Sequence, residues 1–118
     1  MGKEVKEGSG SEHSSRVDLA LARYRVRLRH DLRGALDSML VYGSRARGDA
    51  VDGSDVDVLI IMKEPFDYGD MLERTSDATA EISLEYDIVI SRVFVSREDY
   101  ESKQTPFLMN VRREGVAL

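Results

Sequence analysis

The stretch Val41-Tyr-Gly-Ser-Arg-Ala-Arg-Gly-Asp-Ala-Val-Asp-Gly-Ser-Asp-Val-Asp-Val-Leu-Ile60 decides how the rest of the chain is read. Met39 to Tyr42 is an apolar run that stops at Gly43, the pattern of a buried strand entering a tight turn. Ser44 is placed to cap a short helix over Arg45 to Arg47. Asp52-Gly53 is a turn dipeptide, and Asp55-Val-Asp-Val-Leu-Ile-Ile-Met62 is rich in β-branched residues, which predicts a central strand. Gly43 lacks a Cβ, so a phosphate can approach the backbone. Ser44 sets a hydroxyl and amides at a helix start, where partial positive charge favours anions. Together they suit β- and γ-phosphates. Arg45 and Arg47 offer guanidinium groups to phosphate or to developing charge, and spacing alone does not tell which points inward.

Asp55 and Asp57 lie two apart on the predicted strand, so their side chains share a face with Cα atoms about 6.5 Å apart. Such a pair can hold hard cations. Magnesium takes oxygen ligands and keeps waters and substrate phosphates in its shell, and paired metals in polymerase-type sites lie about 3.5–4 Å apart. Asp87, in Glu85-Tyr-Asp-Ile-Val-Ile90, opens the next predicted strand as a candidate third carboxylate. Its expected role is to hold the metal that activates an acceptor hydroxyl, or to take that proton. Asp-x-Asp alone is weak, because carboxylates often begin strands simply by lying in solvent. Gly-Ser, ten residues and then Asp-x-Asp arise by chance in about one chain of this composition in a hundred, so the combination carries the weight.

Outside this stretch, residues 1 to 15 are rich in Gly, Ser, Glu and Lys, too polar to offset the entropy of ordering, and are expected to form a flexible tail before a domain at 16–118. Ser15 is a good N-cap, and Val17, Leu21, Tyr24, Leu28, Leu32 and Ala35 recur at helical spacing. Met71, Leu72, Thr75, Ala78 and Ile82 predict a second helix, and Tyr86 to Val95 a further strand. Ser96-Arg-Glu-Asp99 resembles a capping box opening a short helix that Pro106 interrupts. A last helical segment through Phe107 to Arg113 ends at Gly115, expected as its C′ residue. The order of elements predicts a single α/β (α+β) domain, a small sheet with helices packed on it.

Composition narrows the function classes. The 118 residues, 42% hydrophobic, suffice for one core. A net charge of -5 disfavours bulk DNA binding, since a duplex-binding domain is usually basic. With no cysteine, thiolate metal sites and cysteine nucleophiles are excluded. No apolar run reaches the roughly 18 residues of a membrane span, the start lacks the apolar core of a secretion signal, and Lys6 replaces the Ser or Thr of a myristoylation signal. A cytoplasmic setting without membrane association is expected. Arg23, Arg25, Arg27, Arg29 and Arg33 crowd the first helix with His30, either as a solvated face or as a docking surface for an acidic partner or RNA phosphate. Tyr42, next to the phosphate turn, reads as core rather than as a nucleotide-stacking ring.

The quoted stretch resembles the minimal nucleotidyltransferase family of the polymerase-β superfamily. Gly43-Ser44, Ala46-Arg47-Gly48 and Asp55-x-Asp57 match its first motif without a gap. The family's third strand carboxylate maps onto Asp87, and its closing Arg-Glu-Gly resembles Arg113-Glu114-Gly115. The similarity runs from about residue 39 to 118. It implies a nucleotidyltransferase fold with a small mixed sheet, and transfer of a nucleoside monophosphate, usually AMP from ATP, to a hydroxyl. It also implies Mg²⁺, expected as two ions, held by Asp55, Asp57 and Asp87, with Gly43, Ser44, Arg45 and Arg47 on the nucleotide phosphates. Minimal members often act as antitoxins, adding AMP to a tyrosine of an all-helical HEPN-type toxin. That makes a protein acceptor, in a homo- or hetero-oligomer, the first expectation. A non-catalytic antitoxin that occludes its partner, or a catalytic subunit for a small-molecule or RNA hydroxyl, are the alternatives.

Overall fold

The computed structural model describes residues 2–48, 53 and 55–118, with side chains described from Ser15 onward. Asp52, half of the expected turn dipeptide, lies outside the described residues, while Gly53 has the positive φ of 87° that such a turn requires. Helix α1 spans Gly2–Leu32, extending N-terminally past the Ser15 cap that the sequence predicts. Once a helical turn exists, each added residue gains a hydrogen bond for little further cost, so a cap-like residue need not be where a helix begins. From Val17 on, Ala20, Leu21, Tyr24, Leu28 and Leu32 are all buried, the stripe that the periodicity predicted. Ala35 lies instead in a 3-10 turn, Arg33–Ala35.

Strand β1 (Leu36–Tyr42) leads through Gly43 into the four-residue helix α2 (Ser44–Arg47), and β2 follows at Val56–Met62. Ser44 is the first helical residue rather than the cap, a place taken by Gly43. Helix α3 (Tyr68–Tyr86) is capped by the Asp67 side chain, which accepts from the Asp70 amide. Strand β3 is Ile90–Ser96, so the predicted strand beginning at Tyr86 is corrected: its first residues finish α3, and Asp87 is the helix C-cap. Asp87 takes the left-handed conformation, φ 54° and ψ 53°, which Asp tolerates better than most residues. Helix α4 (Arg97–Ser102) is capped by Ser96 as predicted, its side chain accepting from the Asp99 amide. Pro106 opens helix α5 (Pro106–Glu114) behind the Thr105 cap, the first-turn position where a missing N–H costs nothing. A two-residue strand, β4 (Val116–Ala117), was not foreseen.

The sheet order is β3-β2-β1-β4, with β2 and β3 parallel and the other pairs antiparallel. The parallel pair requires a crossover, which α3 supplies. Alternation along β2 sends Val56, Val58, Ile60 and Met62 into the core beneath α1 and α3. Leu59 and Ile61 face the other way, beneath Leu108 and Val111 of α5, with Tyr42 and Tyr100 at the margin. The near-continuous apolar run of β2 follows from its central position with helices on both faces. Between α1 and α3 the buried Tyr24 hydroxyl meets Thr79 Oγ1 at 2.7 Å. At the rim of that contact Arg23 and Arg27 pair with Glu85 at 2.5 Å and Glu81 at 2.6 Å.

Candidate active site

Asp57 is on the same face of β2 as Leu59 and Ile61, and in the register its partner on β1 is Tyr42. The turn after Tyr42 therefore sits beside Asp57. Gly43 has φ 77° and ψ −153°, a region essentially reserved for glycine. A Cβ built there would lie 2.5 Å from Asp57 Oδ2. The glycine thus serves two purposes: it permits the turn, and it makes the cradle into which the carboxylate fits. Burial first, and the charge of Asp55 second, push the Asp57 carboxyl above its ordinary range, while Arg47 pulls it down. Two like charges two residues apart, one of them partly withdrawn from water, form a site that a cation stabilises. The donor set of hard carboxylate oxygens fits Mg²⁺, with Asp55 and Asp57 as the residues that would hold it.

The two arginines of the loop are separated by the fold. Arg47 acts on Asp57 and also forms an ion pair with Glu114 at 3.2 Å, tying α2 to the end of α5. Arg45 instead lines a cavity of about 450 Å³, with Asp18, Leu21, Val41 and Leu118. Val41 belongs to the α1 side of the sheet, so this cavity lies behind the face that carries Asp57. The Arg113-Glu114-Gly115 segment gains a physical meaning: Glu114 holds Arg47, and Gly115 lets the chain pass where a Cβ would be 2.6 Å from the Val111 carbonyl oxygen. Gly115 has φ −69°, so close approach rather than a left-handed cap explains it.

Asp87 is the assignment that the structure moves. It lies on the αL corner between α3 and β3, and the β3 residue in register with Asp57 is Ser91. Among the described residues no three His, Asp or Glu side chains come together to hold a metal ion. The sequence misleads here because Tyr86 to Val95 alternates well enough to pass as one strand, and only the tertiary fold shows where α3 stops. Ser91, the β3 residue level with Asp57, escapes the sequence for this reason, whereas Glu114 escapes it because 67 residues separate it from Arg47.

A family model described as a nucleotidyltransferase domain matches residues 22–112. The chain belongs to the nucleotidyltransferase family. A candidate protein adenylyltransferase of Methanocaldococcus jannaschii is 34% identical over 92 residues, covering 77% of this chain and 86% of that relative. A solved minimal nucleotidyltransferase candidate superposes with a TM-score of 0.57 at 22% identity, covering 86% of this chain and 94% of that one. A toxin-antitoxin structure with AMP-PNP gives a TM-score of 0.56 at 17% identity, over 80% and 68% of the two chains. These likenesses at low identity establish the nucleotidyltransferase fold. Family and fold agree on a nucleotidyltransferase, and among the described residues no helix is long and apolar enough to cross a membrane.

Proposed function

We propose that this nucleotidyltransferase is a Mg²⁺-dependent adenylyltransferase that moves AMP from ATP to a hydroxyl of a partner protein and thereby acts as an antitoxin. The observation that carries the reading is the Asp57 carboxylate seated against Gly43 beside Asp55, where a triphosphate and its cation would meet. The names of the archaeal relative and of the toxin-antitoxin neighbour support the protein acceptor and the toxin partner. A tyrosine of an all-helical HEPN-type toxin, in a cytoplasmic hetero-oligomer, is the specific acceptor we favour.

In this reaction the acceptor oxygen bonds to the α-phosphorus and the bond from that phosphorus to the bridging oxygen breaks. Pyrophosphate leaves with the bonding pair, and the hydroxyl proton passes to water. The backbone of Gly43 and Ser44 positions the phosphates, and Arg47 adds positive charge on the Asp57 side. When bound, Mg²⁺ supplies charge neutralisation for the triphosphate and the leaving pyrophosphate. Positioning and electrostatic stabilisation account for most of the acceleration in phosphoryl-type transfer, so the absence of a covalent nucleophile is no obstacle.

The test is transfer of label from α-labelled ATP to the product of the neighbouring gene in the presence of Mg²⁺. Transfer is expected with the wild type and lost with Asp57→Asn; equal transfer by the two proteins refutes the reading. Label appearing without any protein partner would point to a small-molecule or RNA hydroxyl instead. One observation favours a second reading: Ser91, not a carboxylate, is the β3 residue in register with Asp57. A protein that neutralises its partner by occlusion alone keeps that capacity in the double variant Asp55→Asn, Asp57→Asn, whereas the catalytic reading requires its loss.

A further inference from the structure

Tyr42 and Phe107 form an edge-to-face aromatic pair, with ring centroids 5.3 Å apart and planes at 85°. Each ring is delivered by an element already fixed for other reasons. Tyr42 ends β1 as the register partner of Asp57, and it shares with Leu40 the face that α5 covers. Phe107 is the second residue of α5, and the helix is anchored by its neighbour Leu108, which is buried against Leu59 and Ile61. Leu108 is 5% exposed while Phe107 keeps 40% of its surface in water. Core packing therefore explains Leu108 and leaves the exposed part of Phe107 unexplained.

The pair stands directly beside the candidate catalytic groups. Tyr42 is the register partner of Asp57 across the β1–β2 ladder, so ring and carboxylate stand side by side on one face of the sheet. The Gly43 turn follows Tyr42 immediately. We propose that Phe107, braced by Tyr42, is the platform on which the base of the bound nucleotide stacks. The proposal rests on the nucleotidyltransferase reading of the site and deepens it. An exposed aromatic at the margin of a phosphate-binding turn supplies what that turn lacks, an apolar surface matched to a planar base. The edge-to-face contact fixes the ring plane in advance, so little side-chain entropy is lost on binding. Stacking engages the π-face and not the base edges, so recognition is graded by base area, purine above pyrimidine, rather than by strict hydrogen-bond readout.

The experiment measures binding of ATP, CTP and inorganic tripolyphosphate, each with Mg²⁺, to the wild type, Phe107→Ala and Phe107→Trp. Removing an aromatic platform weakens ATP by about fivefold to a hundredfold. Tripolyphosphate, which has no base, is expected to bind all three proteins alike, CTP to bind the wild type more weakly than ATP, and Phe107→Trp to hold ATP at least as well as the wild type. Equal losses of ATP and tripolyphosphate in Phe107→Ala would assign the ring a structural role, and unchanged ATP binding would remove it from the site. If the wild type binds neither ATP nor tripolyphosphate, the nucleotidyltransferase reading itself falls. Circular dichroism of Phe107→Ala separates local loss from unfolding.

Discussion

Replacing Gly43 by alanine should damage the reaction far more than its cost in stability implies. The backbone there has φ 77° and ψ −153°, a conformation that costs a side-chain-bearing residue about 1–3 kcal/mol. For a domain of this size that corresponds to a fall in Tm of about 4–12 °C. The new Cβ would begin 2.5 Å from Asp57 Oδ2, where ordinary contact starts near 3.4 Å. The carboxylate is the free end of a flexible side chain, so it can swing aside cheaply, by about 1 Å. In a positioned site a shift of that size costs about a hundredfold in rate. Gly48 is the control: its φ is 84° and its ψ 9°, and among the described residues nothing beyond its chain neighbours lies within 4 Å of a Cβ built there. Gly48→Ala should lose about 1–2 kcal/mol of stability with nucleotidyl transfer largely kept. Thermal melts, Mg²⁺·ATP titration and label transfer on both variants check the argument. If Gly43→Ala transfers as fast as Gly48→Ala, the contact between turn and carboxylate has no catalytic meaning.

Asp57→Asn should abolish transfer while raising the Tm of the metal-free protein, because the carboxyl is held above its ordinary range by burial and by Asp55, against the opposing pull of Arg47. The sign follows from linkage. The folded state binds the Asp57 proton more tightly than the unfolded state, so the wild type loses stability as pH rises from the ordinary carboxylate value through the raised one. The stabilisation by Asn should accordingly be absent at low pH and full near neutrality, as melts in chelator across pH 3–8, a range of about five units around the carboxylate values, would reveal. Ser91→Asp brings a third carboxylate into register with Asp57. Its Tm should fall without metal and rise on adding Mg²⁺, with tighter Mg²⁺ binding by calorimetry; no metal-dependent change would show that the β3 position does not face the site. A variant beginning at Arg16 should keep the Tm of the full chain within about 1 °C, because among the described side chains the buried stripe begins at Val17. A larger drop would bring residues 1 to 15 into the domain.

Much of this protein was legible in its sequence. Periodicity identified the packed stripe of α1 and the central strand β2, since a buried face imposes its repeat wherever it occurs. The nearness of Gly43 to Asp57 was equally readable because it is local: a turn and a strand carry the two residues, and the pairing of β1 with β2 brings them together. The caps at Ser96 and Gly53's turn geometry are likewise short-range matters. What the sequence left undetermined depends on groups far apart in the chain. Where α3 ends was decided by the αL corner at Asp87, which shifted the register of β3 and brought Ser91 opposite Asp57. Whether Arg45 or Arg47 serves the carboxylate was decided by which face of the sheet each meets, and by Glu114, 67 residues away from Arg47. The aromatic pair of Tyr42 and Phe107 likewise exists only because α5 folds back over the sheet. Local chemistry is written in spacing, whereas the company a side chain keeps is set by packing, which follows from the whole core at once.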